Sequence, residues 1–263
     1  MFLENFAQNA QLYLLIFTRI FALLSIAPIT SSPAIPSAAR AALALFTGVA
    51  IFPMVYEAGY IIPESGLMYG ALVVGELAIG VLTGFFLQLV YAIFVMIGQF
   101  FSLQIGFAAS VIFDPVEQEE IPIVGQFFNY FAMFIFLTIN GFYKLFYVGV
   151  YRSFESLNAY TLLLQREHIY TMVLSAIGML FQNALIISMP ILGSLFLVSV
   201  SMGLLAKAAP QMNLLMMGFP LAIGIAFFII FLSVPFLVAA FSTLIDESFY
   251  RVSAWYDLYW SAR

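Results

Sequence analysis

The chain has 263 residues, of which 64% are apolar and 8% are charged, and its mean hydropathy is +1.09. A soluble globular protein carries about 25% charged residues, so this composition excludes a soluble domain and predicts surroundings of hydrocarbon or other proteins. The net charge of −5 and the even spread of the eight basic residues argue against a nucleic-acid partner, because phosphate binding needs clustered Lys and Arg. The absence of cysteine excludes disulfides and thiol chemistry.

Apolar stretches separated by proline, glycine or charge predict about five or six hydrophobic helices. In chain order the stretches are residues 12–28, 41–56, 67–113, 123–151, 169–205 and 214–244. Pro33 and Pro36 predict a bent connector over residues 30–40, and Pro53 predicts an interruption of the second stretch, which is then short for a membrane span.

The connections are polar, and they differ in character. Residues 152–168 form the most polar one and are long enough for a short amphipathic helix. Residues 207–213 predict a turn. Residues 246–263 predict an amphipathic tail whose Tyr and Trp side chains favour a boundary between bilayer and water.

The longest apolar stretch, 67–113, does not fit one membrane crossing. As a straight helix it would measure about 70 Å, whereas a hydrocarbon core is about 30 Å thick. We therefore expect breaks at Gly98–Gln99 and Gln104–Gly106, or protein rather than lipid around much of its length.

The sequence gives little support to an enzyme. His168 is the single histidine, so a zinc protease helix is impossible, and no carboxylates or histidines cluster with it. No glycine-rich phosphate loop precedes a Lys-Ser or Lys-Thr pair. Asp114, Asp246 and Asp257 all fall in predicted loops or in the tail, which leaves no pair of intramembrane aspartates. We expect no cofactor and no metal.

Two ionisable residues, Arg19 and Glu76, lie inside apolar stretches. Such groups are costly in lipid and usually face protein or water. They could form a proton or ion path, or they could form a charge pair or polar contacts at a subunit interface. The second interpretation is favoured, because no further carboxylate lies in an apolar stretch.

Small residues near Glu76 predict close helix packing. Gly75 precedes Gly80 and Gly84, which have the Gly-xxx-Gly spacing that lets two backbones approach closely. The motif is common, so it predicts packing and carries no specific function.

Two polar breaks stand out between the apolar stretches. The first, 106–122, is a small, apolar segment followed by a cluster of carboxylates, and the second, 206–220, turns between two apolar stretches. Either could be an ordinary connection between helices. Buried amides at such a turn would need partners, which neighbouring subunits could supply.

The second break resembles the signature of the FliR family of flagellar biosynthetic proteins, which includes the SctT proteins of type III secretion. The resemblance is carried by Gly203-Leu-Leu-Ala-Lys-Ala-Ala-Pro-Gln-Met-Asn-Leu-Leu-Met-Met-Gly-Phe-Pro220. Further matches, in order along nearly the whole chain, are Arg19, Ala27-Pro28, Ile35-Pro36, Arg40, Gly75-Glu76, Gly98-Gln99, Gln104-Ile-Gly-Phe107 and Asp114-Pro115.

This resemblance implies a subunit of the type III export gate in the bacterial inner membrane. One copy would join five FliP and about four FliQ subunits, near FlhB and FlhA, around a path for unfolded protein substrates. The implied fold is all-α, with long kinked hydrophobic helices. Residues 1–168 would be FliP-like, 169–245 a FliQ-like hairpin, and 246–263 the tail.

The resemblance also implies roles for both breaks. The loop 106–122 would plug the pore, and its apolar residues could dewet a narrow channel; the predicted plug residues are Gly106, Phe107, Ala108, Ala109, Ser110, Val111, Ile112, Phe113, Asp114 and Pro115. The hairpin tip would contact neighbouring subunits through Lys207, Pro210, Gln211, Asn213, Gly218, Phe219 and Pro220. The main alternative is a secondary transporter or channel with a ligand site at the membrane midplane.

Overall fold

A computed structural model describes residues 9–105, 123–157, 159–160, 166–208 and 214–260 of the chain. Every regular element in these ranges is helical. We label the helices α1 (Ala10–Ile26), α2 (Ser37–Glu57), α3 (Gly66–Ile105), α4 (Ile123–Thr138), α5 (Gly141–Ser156), α6 (Arg166–Ala208) and α7 (Leu214–Trp260).

The helices confirm the prediction of an all-α membrane protein. Four of them (α2, α3, α6 and α7) are long and apolar enough to cross a membrane, and α4 with α5 would make a fifth span. Between these two helices, Asn140 has a left-handed backbone with φ of 58°. The middle of α5, Leu145–Arg152, is a π-helix.

The prediction that Pro53 interrupts the second stretch is wrong. α2 continues through Pro53 to Glu57 and is 21 residues long, enough for a span. Proline costs a helix one hydrogen bond, but here it lies close to the C-terminal end, and the neighbouring Phe52 and Val55 are buried. The helix also begins inside the predicted connector, at Ser37, directly after Pro36.

The break predicted at Gly98–Gln99 is also wrong, because α3 runs without interruption to Ile105. Gly98 has a packing role instead. A Cβ atom built on it would lie 2.5 Å from the Cα atom of Gly125 in α4. The glycine therefore allows two helix backbones to touch. The described part of the helix reaches Ile105, so the second predicted break, Gln104–Gly106, extends outside the described residues.

Proline inside the last two helices does not end them. α6 contains Pro190, and α7 contains Pro220 and Pro235. α7 also continues beyond Asp246 to Trp260, so the described part of the predicted tail prolongs a helix.

The chain divides into two compact units. The first comprises Met1–Leu89, Asn140–Ala176 and Asp246–Arg263, and the second comprises Val90–Ile139 and Ile177–Ile245. In the first unit, α1 buries one face that includes Leu15, Ile16, Ile20 and Leu23.

The core of the second unit is aromatic. The rings of Phe94 and Phe241 lie 4.1 Å apart, and Phe101 packs edge-on against Phe128 at 5.2 Å. Phe128 in turn contacts Phe241. Three helices thus share one aromatic cluster.

Candidate functional site

Among the described residues, the buried charged side chains are Arg19 and Glu76, which form an ion pair between α1 and α3. Arg19 Nε donates to Glu76 Oε2 over 2.5 Å, and both side chains are buried, with 1% and 0% of their surface exposed. Arg19 lies on the buried face of α1, one turn after Leu15 and next to Ile20. Water is therefore excluded from both charges, and each depends on the other for its stability.

The remaining nitrogens of Arg19 hold the end of α5. Nη1 donates to the carbonyl oxygen of Ser153 at 2.7 Å, and Nη2 donates to that of Leu157 at 2.9 Å. Carbonyls at the C-terminal end of a helix carry partial negative charge. The Ser153 carbonyl also accepts the Leu157 N–H at 3.0 Å, so Arg19 is its second donor. The guanidinium also lies 4.0 Å from the centre of the Phe154 ring, a favourable cation–π distance. Arg19 therefore acts as a C-terminal cap for α5.

The second oxygen of Glu76 is bound by a tyrosine from the loop between α2 and α3. Tyr60 donates its hydroxyl to Glu76 Oε1 over 2.5 Å. Burial and the adjacent Glu76 carboxylate raise the pKa of Tyr60 well above its usual value. The phenol therefore stays protonated and donates. Its ring packs on the buried cluster of Leu15, Leu72 and Ala159.

Glycines on α3 explain how three chain segments come so close. A Cβ atom on Gly80 would overlap the carbonyl oxygen of Arg19, and one on Gly84 would lie 3.0 Å from that of Leu23. On the same helix, a Cβ on Gly75 would lie 2.5 Å from the Cβ of Ala159. The predicted small-residue packing is therefore present, and α1 lies backbone to backbone on α3.

These contacts leave the network chemically saturated. All three guanidinium nitrogens and both carboxylate oxygens have partners, so neither group is available as a free base or ligand. Among the described residues, no three His, Cys, Asp or Glu side chains cluster closely enough to hold a metal ion. The arrangement can hold three segments in register, and it places Arg19 and Glu76 in a direct charge pair.

Most of the other predicted site residues lie outside the part of the chain that the structure describes. The predicted plug, Gly106 to Pro115, lies outside the described residues, as do Pro210, Gln211 and Asn213 of the predicted tip. Lys207 is exposed in the last turn of α6. Gly218, Phe219 and Pro220 belong to the N-terminal part of α7, and Pro220 is exposed.

Sequence reasoning missed two kinds of partner in this unit. Tyr60 lies in a short loop without periodicity, and the carbonyls of Ser153 and Leu157 belong to the backbone, which carries no sequence signal. The one available hint was indirect. A buried arginine and a buried glutamate cannot satisfy all of their donors and acceptors by pairing with each other, so further hydrogen-bond partners had to exist.

The C-terminal part of α7 is likewise tied to α5. Lys144 pairs with Asp246, and Arg152 Nη2 donates to Asp257 over 2.7 Å. The hydroxyls of Thr83 and Tyr256 form a buried hydrogen bond at 3.0 Å. These contacts fix the described part of the predicted tail to the first unit.

Comparison with known proteins agrees with this description. The family described as "Bacterial export proteins, family 1" matches residues 10–248. The flagellar biosynthetic protein FliR of Borreliella burgdorferi is 29% identical over 74% of this chain and 73% of its own length. FliR of Escherichia coli K12 is 26% identical over 94% of this chain and 93% of its own. The surface presentation of antigens protein SpaR of Shigella flexneri is 30% identical over 60% of each chain.

The apolar helices and the saturated buried network define an all-helical membrane protein whose buried charges bind its own helices together. The chain belongs to family 1 of the bacterial export proteins, the FliR family of type III export. The relatives named here are called flagellar biosynthetic proteins or a surface presentation of antigens protein, and none is named as an enzyme.

Proposed function

We propose that this chain is a structural and gating subunit of the type III export gate in flagellar assembly. It would lie in the bacterial inner membrane within the basal body and form, with five FliP and about four FliQ subunits, the channel for unfolded export substrates. FlhB and FlhA would be its further neighbours in the apparatus. The observation that carries this proposal is the exposed apolar length of its helices.

Three helices are much longer than one membrane crossing requires. α3, α6 and α7 have 40, 43 and 47 residues, or about 60 to 70 Å of helix against a hydrocarbon core of about 30 Å. In the most apolar 18 residues of each helix, half are buried in α3, but 22% in α6 and 17% in α7. Lipid cannot cover the full length of these helices, so other protein subunits are the expected cover wherever they stay apolar beyond the hydrocarbon core.

The exposed side chains fit this role. On α7, for example, Phe227, Phe228, Phe231 and Leu232 are more than half exposed. Contiguous exposed apolar surface of this kind marks an interaction site when lipid does not cover it. The predicted tip, with Lys207, Gln211 and Asn213, would add polar contacts to neighbouring tips at the cytoplasmic entrance.

The gating part of the proposal rests on the composition of the predicted plug. Small and apolar side chains from Phe107 to Phe113 could fill a narrow pore and exclude water. The carboxylates that follow, Asp114, Glu117, Glu119 and Glu120, would stay at one aqueous mouth. Energy would come from elsewhere in the machine, since the sequence has no nucleotide loop.

Deleting Ala108–Ile112 tests both parts of the proposal. The tagged variant should still co-purify with FliP and FliQ at the parent's stoichiometry, and cells that contain the assembled variant should leak ions. The same deletion without FliP and FliQ should leave membranes tight, because no pore is built. Tight membranes around a fully assembled variant would contradict gating, and failure of the parent chain to co-purify would contradict the subunit role.

A further inference from the structure

We propose that Arg19 and Glu76 make the docking of α1 a charge-dependent step: α1 settles against α3 and α5 when the Glu76 carboxylate compensates Arg19, and Arg19 then caps α5. This inference concerns how the first unit is put together. It stands apart from the proposed export role, because it needs no pore and no substrate.

The first argument is the composition of α1. The helix has 17 residues, and Arg19 near its middle is its one charge. An arginine in an apolar helix is costly unless it finds a partner or reaches water. In the folded unit Arg19 reaches no water, since 1% of it is exposed. The cost is offset only by groups that lie far away in sequence.

The second argument is that these groups come from three separate segments. Glu76 lies on α3, Tyr60 lies in the loop before it, and the capped carbonyls of Ser153 and Leu157 end α5. A guanidinium with one partner missing would leave a buried charge or a buried donor unsatisfied, which is strongly unfavourable. The contacts therefore form together rather than one by one.

The third argument is the fit of the backbones. Gly80 allows the Arg19 carbonyl to lie against α3 with no space for a Cβ atom. Packing this close permits no partly docked position in which water could reach the side chain. Docking of α1 is accordingly all or none, and the ion pair decides which state is populated.

Thiol labelling can test this, because the chain has no cysteine of its own. Leu15→Cys places a probe where α1 packs on Leu72 and Ala159, at a position that is 1% exposed. In native membranes a permeant maleimide should label it slowly in the parent. In Glu76→Leu, which leaves Arg19 unpaired, labelling should be about tenfold faster or more.

A double variant separates charge compensation from simple loss of packing. Arg19→Leu with Glu76→Leu removes both charges, and apolar replacement of a buried pair is often neutral or stabilising. Labelling at residue 15 should then fall well below the Glu76→Leu rate and toward the parent rate. The second probe is Ser156→Cys, at a position in α5 that is 1% exposed. It should label faster in the double variant than with Arg19 and Glu76 in place, because the helix end has lost its cap.

Two controls make the outcome decisive. Glu247→Leu removes the carboxylate of an exposed ion pair with Arg251 and should change no labelling rate. Ala132→Cys, fully buried in the second unit, should stay protected in Glu76→Leu. The charge-dependent docking would be overturned if Glu76→Leu left the probe at residue 15 protected, or if the double variant labelled as fast as Glu76→Leu. It would also be overturned if the probe at residue 132 became as reactive as the probe at residue 15. A Ser156 probe as protected as in the parent would overturn the capping role.

Discussion

At the residue scale, the Glu76 carboxylate depends on two donors, the Arg19 guanidinium and the Tyr60 hydroxyl. Tyr60→Phe removes one of them and leaves Glu76 Oε1 buried without a partner. We expect the variant to be less stable at neutral pH by about 1–3 kcal/mol. Thermal unfolding of the detergent-solubilised protein would measure the difference.

The pH dependence of this difference has a defined sign. Burial and the Glu76 carboxylate raise the pKa of Tyr60 in the folded state above the ordinary tyrosine value of about 10, so the native protein keeps a proton that the unfolded chain loses above about pH 10. The stability that Tyr60 contributes is therefore complete below about pH 10 and declines as the pH rises further. The melting temperatures of parent and Tyr60→Phe should converge between about pH 10 and 11.5; a constant gap over that range would contradict the prediction.

A second residue-scale feature is a strained turn after α1. Ile29 has φ of 69°, and the Thr30 N–H donates to the Pro28 carbonyl across it at 2.8 Å. A β-branched residue is a clear outlier in this region, and strain of this kind costs about 1–3 kcal/mol. Ile29→Asn should be neutral or stabilise the protein by about 1 kcal/mol, because Asn adopts positive φ readily.

The chain supplies a matched control for that substitution. Ile35, in the same connection, is half-buried like Ile29 but has no positive φ. Ile35→Asn should therefore lower the melting temperature, whereas Ile29→Asn should not. Equal losses in both variants would mean that the turn at Ile29 stores no strain.

The residues of the buried network could be predicted only in part. Arg19 and Glu76 are conspicuous because a charge inside an apolar stretch is rare. Tyr60 carries no such signal, since a tyrosine in a loop is ordinary until the fold brings a carboxylate to it. The two carbonyl partners could not be found at all, because the sequence does not say which backbone groups lack partners.

At the element scale, α3 shows that the same residue type can have opposite meanings. Glycine in a long apolar stretch predicts a break, yet Gly98 lies inside an unbroken helix and against Gly125. Gly98→Ala should destabilise the second unit by about 1–3 kcal/mol, because the added methyl forces two backbones apart. The measurement is the melting temperature of the purified protein.

Gly70 provides the control on the same helix. A Cβ atom there would meet no atom within 4 Å, so Gly70→Ala should add helix propensity and stabilise by up to about 1 kcal/mol. If both alanines were tolerated equally, the close contact between Gly98 and Gly125 would not be a determinant of stability.

The apolar elements were predictable in type and position more than in extent. Hydrophobic stretches identify helices because lipid or protein must surround them. Proline positions misled the prediction at Pro53, since proline in an apolar helix is tolerated where neighbouring side chains are packed, as Phe52 and Val55 are. The C-terminal end of α7 differs from the predicted tail for another reason. Its charged residues Asp246 and Asp257 pair with α5, and the helix continues to Trp260.

At the scale of the whole molecule, hydrophobicity predicts what surrounds the chain only ambiguously. An apolar side chain is about equally stable in lipid and in a subunit interface, because lipid tails are as apolar as leucine. Composition therefore indicates a membrane protein, but it does not say which parts of the surface face lipid and which face other subunits. Helix length helps to distinguish lipid-facing from subunit-facing surface, since hydrocarbon covers only about 30 Å of a helix.

Spin labels along α7 would show directly which positions face lipid and which face other subunits. Single cysteines at Leu221, Phe231 and Tyr250, all at least half exposed, span about 44 Å of helix at 1.5 Å per residue. In the chain expressed alone, hydrocarbon cannot cover all three sites, so their accessibility to dissolved oxygen should differ. After co-expression with FliP and FliQ, we expect labels at Leu221 and Phe231 to become immobile and inaccessible to oxygen. If they stayed mobile and oxygen-accessible in the purified complex, α7 would face lipid there, and the exposed apolar surface would not be the assembly surface proposed for it.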